Sequence, residues 1–97
     1  MKSFNLTNIN KEKATSGYYI YYNSDRKKVY NGSSKNIKQR LFACYYGRAD
    51  WAQIPAKIRM RKNKQIAFYT VIYMPLRNAR AKDRKNGKAY NKSPYRK

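Results

Sequence analysis

The chain has 97 residues, with 24 Lys+Arg against 4 Asp+Glu and no histidine, for a formal net charge of +20. Apolar residues make up 41% and aromatic residues 15% of it, too much buriable surface for plain disorder. The length suits one domain with a small core. The longest apolar run, Ile66 to Met74, includes Thr70 and is too short to cross a bilayer. Lys2 is not followed by an apolar stretch, so no signal peptide is expected. A lone Cys44 excludes an intramolecular disulfide framework, and with no histidine a zinc site is not expected either.

So large a positive charge repels itself unless something negative neutralises it. Nucleic acid is the usual partner, because clustered Lys and Arg release its counterions. A/T-rich coding would enrich Lys, Asn and Tyr together, but it leaves the scarcity of acids unexplained. No amphipathic stretch offers a Trp/Phe/Leu face to a membrane, and no disulfide-linked partner is expected. The expected setting is intracellular, the cytoplasm or nucleoid of a bacterium or of a phage-infected cell.

Residues 1–16 are polar with scattered Phe4, Leu6 and Ile9, an N-terminal arm or a short edge element. Gly17 to Asn23 reads GYYIYYN, aromatic and β-branched, which predicts a strand. Asn23-Ser24-Asp25-Arg26 supplies turn chemistry. A second strand over Lys28 to Gly32 would close an antiparallel hairpin. Asn36 then serves as an N-cap, with Gln39 placed for a capping box. Ile37, Leu41, Cys44 and Tyr45 share one helical face, with Arg40 at its edge, Lys38 in solvent and Gly47 as the stop. Asp50 to Lys64 reads either as a helix capped at Asp50 or as a short turn and a helix starting near Pro55, with a basic run. Gln65 to Met74 predicts a strand covered on both faces and ended by Pro75. Leu76 to Lys85 predicts a last helix stopped by Gly87. A basic tail fills 88–97. The expected fold is α/β of the α+β type: a small three-stranded, mostly antiparallel sheet flanked by helices, in a domain over residues 17–87.

Taken together, SGYYIYYN, KKVYNGSSKNIKQRL and the strand–strand–helix order resemble the GIY-YIG nuclease family, most strongly from Ser16 to Leu41. The resemblance implies a metal-dependent DNA endonuclease of weak sequence specificity, helped by one divalent ion, Mg²⁺ or Mn²⁺. It places Tyr19 as general base or water-orienting group and Tyr30 in the same site. Arg40 would contact the scissile phosphate, where a planar guanidinium suits the developing charge. A phenol with a pKa near ~10 would need cations nearby to serve as a base.

The pattern departs from the family in four places. Tyr18 and Asn31 stand where aliphatic residues are usual. Cys44 stands where a His or Tyr often follows the arginine, with Tyr45 and Tyr46 next in line. The family's late-helix glutamate is missing, since Glu12 is the only glutamate and lies upstream of the motif. The segment Asn78-Ala79-Arg80-Ala81-Lys82-Asp83 resembles that helix and would make Asp83 the metal ligand. The other reading of Asp83 is a surface carboxylate with basic neighbours. Lys35, Lys57, Arg59, Arg61, Lys62, Arg77 and Arg80 are the candidate nucleic-acid contacts, with DNA favoured over RNA. The alternative function is a catalytically degenerate relative that binds DNA or RNA without cutting it.

Overall fold

The computed structural model describes residues 1–46 and 66–90. In chain order they form β1 (Lys2–Ser3), α1 (Leu6–Asn10), β2 (Gly17–Tyr22), β3 (Lys28–Ser34), α2 (Ile37–Tyr45), β4 (Phe68–Tyr73) and α3 (Leu76–Tyr90). The helix expected between 50 and 64 lies outside the described residues. The sheet has four strands in the order β1-β4-β2-β3, and every pairing is antiparallel. This corrects the expected three strands. The extra one comes from the arm, where Lys2 pairs with Tyr69 and Ser3 with Phe68. Two residues cannot display an alternation, so this edge element carries no period of its own. Phe4 fixes it, donating its N–H to the Ala67 carbonyl at 2.9 Å and packing its ring against Tyr21 and Tyr69 at 5.4 and 5.9 Å.

The hairpin of β2 and β3 forms where turn chemistry predicts. The Asn23 side-chain oxygen accepts from the N–H groups of Asp25 and Lys27, both at 3.0 Å, and its carbonyl accepts from Arg26 at 2.9 Å. Arg26 takes a positive φ of 62° and lays its guanidinium over the Phe68 ring at 5.5 Å. A register shift between Tyr21 and Tyr22 absorbs the uneven strand lengths.

Strand alternation sorts the side chains onto two faces. Tyr19, Tyr21, Tyr30, Gly32, Tyr69, Val71 and Tyr73 share one face, as the pairs Tyr19 with Gly32, Tyr21 with Tyr30 and Tyr21 with Tyr69 require. Ile9 of α1 and Ile37, Leu41 and Cys44 of α2 close over that face, all fully buried. Tyr18, Ile20, Asn31, Ser33, Phe68, Thr70 and Ile72 point the other way, where α3 lies across β3 and β2. Ile72 remains 48% exposed, so β4 is not covered on both faces as expected. The reason is the position of α3, which packs on β3 and β2.

The arm also caps α2. Ile37 donates its N–H to the Thr15 carbonyl at 2.9 Å and Lys38 to the Lys13 carbonyl at 3.2 Å. Gln39 donates its N–H to the Asn36 side chain at 3.0 Å, the predicted cap. The return half of the expected box is made by Ser34, whose hydroxyl accepts from the Asn36 N–H at 3.0 Å, in place of the Gln39 side chain. Lys38, expected in solvent, is half-buried like Arg40. Tyr45, expected in the core, is 38% exposed and leans on Phe4 at 5.7 Å.

A second boundary also moves. Gly87 does not stop α3, which runs on to Tyr90. One glycine inside a helix costs only ~1 kcal/mol, and the next proline is Pro94.

Gly32 is a place where close approach demands glycine. A β-carbon there would strike the Tyr19 hydroxyl and ring, part of a packed core. Gly32→Ala is therefore expected to destabilise the fold by ~1–3 kcal/mol through overpacking. Urea denaturation of the variant beside the parent, with unchanged m-value, checks it.

Candidate nucleic-acid interface

The two motif tyrosines meet inside the core. Tyr19 is 1% exposed and Tyr30 9%. Their ring centroids lie 6.4 Å apart, and Tyr21 completes a triangle with them at 5.0 Å from Tyr19 and 6.1 Å from Tyr30. A general base must reach the proton that it removes. Rings packed this deeply act first as apolar surface for α1 and α2. Cys44, in place of the family's His or Tyr, is fully buried with them. Tyr45 and Tyr46, the next candidates, are 38% and 54% exposed.

Arg40 lies on α2, half-buried, and lines a cavity of about 210 Å³ with Ser34, Lys35, Asn36, Gln39 and Ala43. Helix N-termini bind anions through unused N–H groups. Here the N–H groups of Ile37, Lys38, Gln39 and Arg40 already donate to Thr15, Lys13, Asn36 Oδ1 and the Asn36 carbonyl. A phosphate in this cavity would thus depend on the side chains of Lys35 and Arg40.

Asp83 lies on α3, across the sheet from Tyr19 and Tyr30. Asn31 donates its side-chain N–H to Asp83 Oδ1 at 2.9 Å and to the Asp83 carbonyl at 3.3 Å. The Ser33 hydroxyl stands 3.4 Å from Asp83 Oδ2. Asn31, one departure from the family pattern, therefore holds Asp83, the proposed answer to another. Lys82 over the Tyr18 ring at 5.5 Å, and Asn86 donating to the Tyr18 hydroxyl at 3.3 Å, extend this seam. A hard divalent ion wants several oxygen ligands at once. Among the described residues no three of His, Cys, Asp and Glu come together, and an amide N–H already occupies Asp83 Oδ1.

Of the basic candidates, Lys35, Arg77 and Arg80 are exposed. Arg84 and Lys85 join Arg77 and Arg80 on the outer side of α3, while Ala79 is buried against the sheet. Lys57, Arg59, Arg61 and Lys62 lie outside the described residues, as does the tail from 91 onward.

Sequence reasoning passed over a buried, well-bonded polar group, Glu12. It is 6% exposed, and its Oε2 accepts from Lys2 Nζ at 2.7 Å and from the Tyr69 hydroxyl at 2.5 Å. Its Oε1 accepts from the Tyr73 hydroxyl at 2.6 Å, which itself accepts the Lys13 N–H at 2.7 Å. Tyr69 and Tyr73 are four residues apart on a strand, so alternation puts them on one face; that half was readable. Burial pushes the Glu12 carboxyl up, but the bonds from Lys2, Tyr69 and Tyr73 and the Lys2 charge outweigh it and hold its pKa below the ordinary value. Burial and the Glu12 bond push the Tyr73 phenol up to about 12, and Tyr69 rises for the same reasons.

No model of a known protein family matches the chain, and no curated protein matches it. Among the described residues no helix is long and apolar enough to cross a membrane.

The Glu12 cluster makes stability depend on pH at both ends. A lowered carboxylate contributes stability above its ordinary value of 4.5 that is lost as pH falls through the lower folded value. A raised phenol contributes stability below 10 that is lost as pH rises from there through about 12. Glu12→Gln is expected to cost ~2 kcal/mol at neutral pH and to flatten the acid limb. Thermal unfolding midpoints of parent and variant between pH 3 and 12 check both.

Proposed function

We propose that this chain binds nucleic acid through the phosphate backbone, DNA before RNA, as a GIY-YIG-like protein that does not cut it. The observation that carries the second half is the sheet itself, which stands between Tyr19 and Tyr30 on one face and Asp83 on the other. In-line phosphodiester hydrolysis needs its nucleophile-orienting group, its cations and any metal ligand around one phosphorus atom. The first half is supported by the net charge of +20 and by exposed Lys35, Arg77 and Arg80. Phosphate contacts of this kind position a protein but read little sequence.

Cleavage remains the second reading, favoured by one observation: Tyr19, Tyr30 and the Arg40-bearing helix α2 lie on the same side of the sheet. In that reading Arg40 steadies the phosphate, and Mg²⁺ or Mn²⁺ would need ligands other than Asp83 with the tyrosines.

Fluorescence anisotropy with random-sequence DNA across a salt series should give a log–log slope near −4 to −5 if about five phosphates are neutralised. The double variant Arg77→Ala with Arg80→Ala should make it shallower by about two. Supercoiled plasmid incubated with Mg²⁺ or Mn²⁺ should stay intact, as it does with EDTA. Metal-dependent nicking that disappears in Arg40→Ala would overturn the non-cutting reading, and salt-independent affinity would overturn the backbone-binding one.

A further inference from the structure

On the side of the molecule away from α3, helices α1 and α2 leave an open groove of about 440 Å³. Leu6, Thr7, Asn10 and Lys11 line one wall and Phe42 and Tyr46 the other. Two of its apolar members stay open to solvent, Leu6 at 38% exposed and Tyr46 at 54%, while Phe42 is half-buried and packs against the core. Tyr45 braces Tyr46 edge-on, with centroids 5.4 Å apart and planes at 81°. Exposed aromatic surface beside a lysine has an ordinary reading as scattered surface. Two features go against that here. The side chains converge on one concavity, and the sequences of α1 and α2, LTNIN and IKQRLFACY, contain no acidic residue.

Resting on the nucleic-acid reading above, we propose that this groove receives one unpaired nucleobase, so that the protein prefers single-stranded DNA to duplex. A base offers a flat apolar face and a polar edge on a negatively charged backbone. The groove answers each: Tyr46 and Phe42 supply ring surface for stacking, Asn10 supplies an amide with both donor and acceptor for the edge, and Lys11 supplies a cation for the adjoining phosphate. A base inside a duplex is stacked on both faces and cannot enter, so strand state decides binding here, while base identity does not.

The test compares two fluorescent 12-mers of equal charge, oligo-dT and its abasic counterpart, by anisotropy at fixed salt. The parent protein is expected to bind oligo-dT at least about fivefold more tightly. Tyr46→Ala should bring the two affinities together while leaving the abasic affinity unchanged, and Tyr46→Phe should restore the difference. The fold should survive the alanine, because Tyr46 contributes its backbone N–H to the end of α2, bonded to the Phe42 carbonyl at 3.1 Å. Circular dichroism confirms that for each variant. Equal affinity of the parent for both 12-mers, or a difference that persists in Tyr46→Ala, overturns the groove proposal and leaves backbone binding standing. Failure of the parent to bind either 12-mer, or duplex DNA, overturns both.

Discussion

A single buried carboxylate organises the molecule. Glu12 accepts three hydrogen bonds from three separate places: Lys2 on the edge strand, and Tyr69 and Tyr73 on β4. An unpaired charge at this depth would cost several kcal/mol. The arm can therefore leave the sheet only by breaking the bonds from Tyr69 and Tyr73. With the arm held, Thr15 and Lys13 stand where the N–H groups of α2 need carbonyls, and Phe4 stands where the edge of the sheet needs an aromatic lid. Among the described residues this anion is buried, while cations such as Lys35, Arg77 and Arg80 stay exposed.

The core that results is built from phenols more than from aliphatic groups. Tyr19, Tyr21 and Tyr69 are buried almost completely, and Tyr30 nearly so. Rings of this kind bury large area and still need a partner for the hydroxyl. Glu12 answers for Tyr69 and Tyr73, and Thr70 stands 3.2 Å from the Tyr22 hydroxyl. The sheet then works as a partition. One face gathers aromatic packing and the helix bearing Arg40, and the other carries the Asn31–Asp83 seam and the basic outer side of α3.

Local features were legible in the sequence and long-range ones were not. The Asn23 turn, the Asn36 cap and three of the four stripe residues, Ile37, Leu41 and Cys44, follow from neighbours within a few residues and form as read, while Tyr45 stays outside the core. Strand β1 pairs with residues near 69, and nothing within Lys2–Ser3 announces that. The end of α3 was misread because Gly87 suggests a stop only when nothing else holds the helix. The site divides in the same way. The relation of Tyr19 to Tyr30 follows from hairpin register. The facing of Asp83 depends on how α3 is rotated about its axis, which buries Ala79 and brings Asp83 to Asn31 on the same face of the sheet. Asn31 itself looked like an inert variation in a motif, and its partner 52 residues away gives it meaning.

The strand order also bears on how the chain acquires its shape. The β2–β3 hairpin and α2 are close in sequence and can assemble early, since short loops close at little entropic cost. Strand β4 must then arrive beside β2, and β1 can add only after that. The Glu12 cluster can close only once β4 is in place, because it joins residues 57 apart in the chain. During synthesis β1 is made well before its neighbour β4, and its two residues wait in water until β4 has emerged. Keeping that waiting strand short and polar, with lysine at its start, leaves the nascent chain little edge on which to pair with another copy of itself.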